Sequence, residues 1–283
     1  MPDRIVNQAN VKYKKLFLFF VASSSLIVSG ALLAQTFDFL SLTFLIYCNL
    51  TGVFLVYRLN DCIDHDAGLK LNLHNFFGNL LHKIITVQFV LILIPIAFFT
   101  LNKFSLIVLT LAGMAGTIYS LSFHFGNSQF RIKNVFILKN ILIGIAWGSL
   151  ILIGAGSMES ISIFSLFIFA SVQVVVGSII RDVPDFSKDK TNGVNSFPVV
   201  LGMKASLAWM HLLNAFSFLV FTYFDFPLLV YILFLIIVFW RSVNISFLSK
   251  ESEQKFWSQT ANLMTCVLIL FAVIILKKYE SFN

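Results

Sequence analysis

Apolar residues run through this chain in long stretches broken by short polar interruptions. A bilayer core of about 30 Å takes roughly 20 apolar residues per helix. Nine stretches meet that length, at about 16–34, 39–57, 84–101, 104–124, 136–154, 160–181, 205–224, 226–248 and 258–276. Breaks such as Thr36-Phe37-Asp38 and Asp225-Phe226-Pro227 separate most of them. Only Asn102-Lys103 divides the third from the fourth. Pro95 sits inside the third, where a membrane helix accepts a kink. The first stretch carries a basic flank, Lys12, Lys14 and Lys15. It is too long for the apolar core of a signal peptide and no Ala-x-Ala follows, so it is read as the first membrane helix. One segment has a different pattern. In 70–83, Leu73, Phe76, Phe77, Leu80 and Leu81 recur at the spacing of an amphipathic helix lying on a membrane surface. It serves either as a cap over a site or as a plain connector.

Composition agrees. Of 283 residues, 58% are apolar and 12% charged, and mean hydropathy is +0.90. That leaves too little polar surface for a soluble domain and too few cysteines for a disulfide-stapled one. The expectation is an all-α polytopic membrane protein, one domain over 1–283, with 1–15 as a cytoplasmic tail. The net charge of +7 points to the membrane rather than to nucleic acid. Threading nine spans with the N-terminus inside puts 17 of the 20 Lys and Arg in cytoplasmic segments, leaving Lys103, Lys277 and Lys278 outside. Such asymmetry orients membrane proteins. It predicts an integral protein of the cell inner membrane with a cytoplasmic N-terminus.

Six of the nine Asp fall in two short clusters. The first, Asn60-Asp61-Cys62-Ile63-Asp64-His65-Asp66, closes span two. The second, Arg181-Asp182-Val183-Pro184-Asp185-Phe186-Ser187-Lys188-Asp189, closes span six. Both spans are even-numbered, so both clusters emerge in the cytoplasm and can face one cavity. Asp61 with Asp64, and Asp182 with Asp185 and Asp189, are spaced to share a helix face, with Pro184 either kinking that turn or restarting the helix. Stacked like charges call for a cation. Hard oxygen donors suit Mg²⁺, which takes one or two carboxylates and leaves positions for phosphate oxygens. Two clusters around one cavity are the arrangement a diphosphate bridged by two Mg²⁺ requires. The alternative is a pair of solvated acidic loops.

At these residues the chain resembles the UbiA superfamily of intramembrane prenyltransferases. The first motif of that family reads Asn-Asp-x-x-Asp-x-x-x-Asp. Asn60, Asp61 and Asp64 match it, while its last position is Gly68, with Asp66 nearby. The Arg-Pro-rich stretch of many members is missing from 70–83. Residues 181–202, RDVPDFSKDKTNGVNSFPVVLG, are similar to the second motif, in the form seen in homogentisate prenyltransferases and archaeal-lipid ether synthases. After span four, where members carry a Tyr and then a basic residue, this chain has Tyr119 and, further on, Arg131 and Lys133. The resemblance implies Mg²⁺ held by Asn60, Asp61, Asp64, Asp182, Asp185 and Asp189, with Asp64, Asp185 and Tyr119 central to catalysis. Arg131 and Lys133 would hold the diphosphate, joined on position alone by Lys190 and Arg58. The donor would be an isoprenoid diphosphate, entering from the cytoplasm. The acceptor would be a lipophilic molecule of aromatic or glycerol-ether type, reached among membrane lipids.

Two further readings stay open: a terpene cyclase using the same metals, and an ion-coupled transporter. The acids lie at helix ends rather than at the bilayer midplane, which disfavours the transporter. Arg241 reads as an anchor at a cytoplasmic helix end. Gly144 with Gly148, and Gly113 with Thr117, are four apart and read as helix packing points.

Overall fold

The computed structural model describes residues 2–35, 38–65, 80–94, 96–97, 101–121, 123–125, 128–222, 226–249 and 251–281. Its helices are α1 (Pro2–Ala34), α2 (Phe39–His65), α3 (Leu80–Gln88), α4 (Lys103–Ser120), α5 (Leu138–Ala155), α6 (Ile161–Asp182), α7 (Phe186–Thr191), α8 (Phe197–Leu201), α9 (Met203–Thr222), α10 (Leu228–Phe247) and α11 (Glu251–Glu280). One π-helical turn, Phe89–Leu93, continues α3. Among the described residues, eight helices are long and apolar enough to cross a membrane. The expected third span is the one that lacks a single long helix of this kind.

Helix boundaries follow local chemistry. Asp38 closes the start of α2, its Oδ2 accepting from the Ser41 amide at 2.9 Å and the Ser41 hydroxyl at 2.6 Å. Those bonds hold its carboxyl below the usual carboxylate range. The cap is therefore fully formed at neutral pH and weakens as acid protonates Asp38. Asn102 caps α4 through the Ser105 amide at 2.7 Å, and its own amide donates to Gly156 O at 3.0 Å, tying the start of α4 to the end of α5. α1 begins at Pro2, so the expected tail is helical from there. One expectation needs correcting. Span four ends at Ser120, and an antiparallel pair of short strands, β1 (Phe123–Phe125) and β2 (Ser128–Phe130), follows it. Of the two roles open to Pro184 the structure shows the restart: α6 ends at Asp182 and α7 begins at Phe186, because proline has no amide to continue the ladder and clashes with the preceding turn.

The helices form two four-helix halves. In the first, α1, α2, α4 and α5 each pack on the next and close through α1 and α5. In the second, α6, α9, α10 and α11 do the same and close through α6 and α11. The halves join along α1 with α11 and α5 with α6. Glycine permits the tightest of these crossings. A Cβ on Gly30 would run into the Ile151 carbonyl, and one on Gly154 into the Ile27 carbonyl. Gly144 and Gly148 seat α5 on α6 around Ser171 and Val175. Gly113 is different. Nothing stands within 4 Å of where its Cβ would be, so it opens space instead of closing a crossing.

The second half is filled. Phe169, Phe221 and Phe234 form one cluster, with ring centroids 4.3 to 5.3 Å apart. Beside it Arg241 is 0% exposed. α10 continues six residues past it, so it lies inside the bundle and is no interfacial anchor. Its Nε donates to Gln173 Oε1 at 3.1 Å, and Nη2 donates to the Gln173 carbonyl and Asn262 Oδ1 at 3.2 Å each. The Gln173 amide donates onward to Asn214 Oδ1 and Ser217 Oγ, both at 2.8 Å. One cation thus binds α6, α9, α10 and α11 through oxygen dipoles. Replacing Gln173 with Leu removes an acceptor from a buried guanidinium, at about 1–3 kcal/mol. Gln173→Leu is therefore expected to lower the thermal unfolding midpoint of the detergent-solubilised protein. An unchanged midpoint would show that the network does not hold this half together.

Candidate active site

The first half is hollow. Residues spaced along one face of each helix leave a continuous space between α2, α4 and α5. On α2 the stripe is Asn49, Gly52, Val53, Val56, Tyr57 and Asn60, at helical spacing. On α6 and the turn after it, Ser178, Arg181, Asp182 and Asp185 repeat the pattern in polar residues.

The space has two chambers. A polar one of about 310 Å³ is walled by Asn60, Tyr119, Ser120, Arg181, Asp182 and Asp185, among others. An apolar one of about 450 Å³ runs beyond it, between Gly52, Leu93, Leu109, Gly113 and Leu150. Val56, Tyr57, Gly116, Ala146 and Trp147 border both, so the chambers are continuous. Aromatic rings surround this junction. Phe19 stacks on Tyr57 at 4.8 Å and meets Trp147 edge-on at 5.8 Å. The Arg181 guanidinium carbon lies 4.7 Å from the centre of the Phe19 ring, and Tyr57 is hydrogen-bonded to Arg181.

Asn60, from the end of α2, Asp182, from the end of α6, and Asp185, from the turn after it, therefore open onto one cavity. Asn60, at the head of the first cluster, thus shares a cavity with two acids of the second. Tyr119 joins them. The side chains of Asp61 and Asp64 lie outside the described residues, as do Lys133's side chain and all of Asp66 and Gly68. So does the amphipathic segment up to Asn79. The break at Pro184 separates the second cluster: Asp182 ends α6, Asp185 precedes α7, and Asp189 lies within α7, off the cavity wall. Asp182 has a buried partner. Lys139 Nζ, on the first turn of α5, stands 2.8 Å from each carboxylate oxygen.

The expected diphosphate-binding bases fare differently. Arg131 is buried and donates from Nη2 to the Ser120 carbonyl at 3.2 Å, which caps the end of α4. Lys190 is exposed on α7, and neither it nor Arg58 borders the chamber. Among the described residues the cation on the wall is Arg181, which stands at the head of the second motif and was given no site role from the sequence. Its signal was available in the spacing of Ser178, Arg181, Asp182 and Asp185.

Among the described residues no three His, Cys, Asp or Glu cluster as a complete metal site. The wall nonetheless offers oxygen donors from two facing elements, Asn60 on one and Asp182 and Asp185 on the other. That set fits Mg²⁺, which takes few protein ligands and completes its shell with water and phosphate.

The family model for UbiA prenyltransferases matches residues 17–269. The chain belongs to the UbiA prenyltransferase family. Solved members share its fold. A digeranylgeranylglyceryl phosphate synthase is 19% identical, covering 93% of this chain and 98% of its own, with a TM-score of 0.62. A UbiA homologue from Aeropyrum pernix K1 is 17% identical over 91% and 97%, with a TM-score of 0.64. One from Archaeoglobus fulgidus, bound to DMAPP and Mg²⁺, is 15% identical over 93% and 99%, with a TM-score of 0.65. No curated protein sequence matches the chain. Membership makes it an integral membrane protein of the prenyl-transfer class.

Proposed function

We propose that this UbiA-family protein transfers a prenyl group from an isoprenoid diphosphate to a lipophilic acceptor at the cytoplasmic face of the cell inner membrane. The observation that carries the reading is the continuity of the chambers. A polar pocket with acids and an arginine opens through an aromatic junction into a long apolar pocket. That shape fits a donor with an anionic head and a hydrocarbon tail. The Archaeoglobus fulgidus homologue solved with DMAPP and Mg²⁺ supports the donor class.

Mg²⁺, held by Asn60, Asp61, Asp64 and Asp185, would neutralise charge on the departing diphosphate. The protein's own groups account for the rest. Arg181 donates hydrogen bonds to the diphosphate oxygens, held in place by Tyr57 and the face of Phe19. The bond between C1 and oxygen breaks with its electron pair going to the diphosphate. The allylic cation left behind would sit at the junction lined by Tyr57 and Trp147, since aromatic rings favour positive charge. The acceptor's nucleophilic atom bonds to C1 and gives up its proton to the released diphosphate. The apolar chamber keeps water from C1. Its class of acceptor is aromatic or glycerol-ether. A carrier needs a polar path across the membrane, whereas the space beyond the junction is apolar.

Membranes containing the full chain, incubated with labelled geranylgeranyl diphosphate, Mg²⁺ and a lipid extract, test this reading. Label should move into a lipid product. Asp185→Asn should abolish the transfer. Arg181→Gln removes charged hydrogen bonds of about 1.5–3 kcal/mol, a roughly tenfold to hundredfold fall in kcat/KM. Near-normal transfer by Asp185→Asn would overturn the proposal.

Chamber depth gives another prediction. Gly113 faces open space, so Gly113→Phe can fill the apolar chamber without disturbing the helices. In competition, the variant should shift preference toward geranyl over geranylgeranyl diphosphate by about tenfold, the order expected for a few lost methylene contacts. An unchanged preference would place the tail elsewhere.

A further inference from the structure

The sequence supplies carboxylates enough for two Mg²⁺, yet the structure commits one of them to a lysine. Lys139 is 6% exposed, on the first turn of α5 behind the chamber wall. Its ammonium lies 2.8 Å from both oxygens of Asp182. The neighbouring Asn140 is 0% exposed. It donates to Ser178 Oγ at 2.9 Å, one turn before Asp182, and its amide also bonds to Asp182. The end of α6 is thus locked to the start of α5 by two adjacent side chains.

This pairing has consequences for a metal. A divalent ion on Asp182 would share that carboxylate with an ammonium already in contact with it, and the two cations would repel. If the ion displaced Lys139 instead, a buried ammonium would be left without a partner, which is costly. Lys139 has little water to turn to. Asp185 carries no such burden: it is exposed on the same wall, across from Asn60. The first cluster is also short of an acid, with Gly68 where a further Asp would stand.

We propose that Lys139 is a resident cation of the diphosphate site: it claims Asp182, so the protein binds one Mg²⁺ per donor, on the Asp185 side, instead of two. The proposal rests on the prenyl diphosphate reading above. Lys139 acts as a positioning residue. It contributes a fixed positive charge and holds Asp182 and the neighbouring Arg181 toward the chamber.

Calorimetric titration of Mg²⁺ into the detergent-solubilised full chain, saturated with non-hydrolysable geranyl thiolodiphosphate, tests it. Wild type should take up one Mg²⁺ per chain. Lys139→Arg keeps the charge and should also take one. Lys139→Met frees Asp182 and should take two. Two ions in wild type, or one in a folded Lys139→Met, would overturn the proposal. Should Lys139→Met fail to fold, the wild-type stoichiometry decides alone. Absence of donor binding at any Mg²⁺ concentration would overturn the functional reading itself, and the role of Lys139 with it.

Discussion

In the hydrocarbon of a bilayer a charged side chain has no water to turn to, so its partners must come from neighbouring helices. This constraint divides the molecule. In the second half Arg241 is held by amide and carbonyl oxygens from α6 and α11, and aromatic rings fill the core of the same half. In the first half the charges sit at one end, where α2, α4, α5 and α6 meet at an open mouth. The interior beyond them carries mostly apolar side chains and glycines. One half is a solid support and the other is a vessel.

The support positions the vessel. α6 belongs to both. Its middle is held by Arg241 through Gln173, and its end carries Arg181 and Asp182 into the chamber. The distance between those points is about two turns, so a fixed middle fixes the end. On the other side α5 is seated on α6 by Gly144 and Gly148, and on α1 by Gly30 and Gly154. These close crossings hold Trp147 and Lys139 where the chamber needs them. The chemistry asks little of the protein beyond geometry and charge: an anionic head held in a polar pocket, and an emerging cation held against rings.

The architecture was legible in the sequence because its signals are strong and local. Long apolar runs mark membrane helices whatever their neighbours, and the motif spacing marks the ends of two of them. Asn60, Tyr119, Asp182 and Asp185, named from the motifs, line one chamber. Details that depend on helix rotation or on distant partners were not. Arg131 resembles a substrate base by position, yet its guanidinium turns to the Ser120 carbonyl. Lys139 looks like any positive residue at a helix start until α6 brings Asp182 to it, 43 residues away. Arg241 looks like an anchor until α10 is seen to continue past it. Gly113 reads as a packing point from its spacing with Thr117, and only the placement of α2 shows that it faces a cavity.

The central claim is that one donor spans both chambers, with its head at Arg181 and Asp185 and its tail past Trp147 toward Gly113. A structure of the full chain with Mg²⁺ and geranylgeranyl thiolodiphosphate tests it most directly. The account predicts diphosphate oxygens within hydrogen-bonding distance of the Arg181 guanidinium, and prenyl carbons in contact with Gly52 and Gly113. A diphosphate bound away from Arg181, or a tail lying outside the helices α2, α4 and α5, would contradict it.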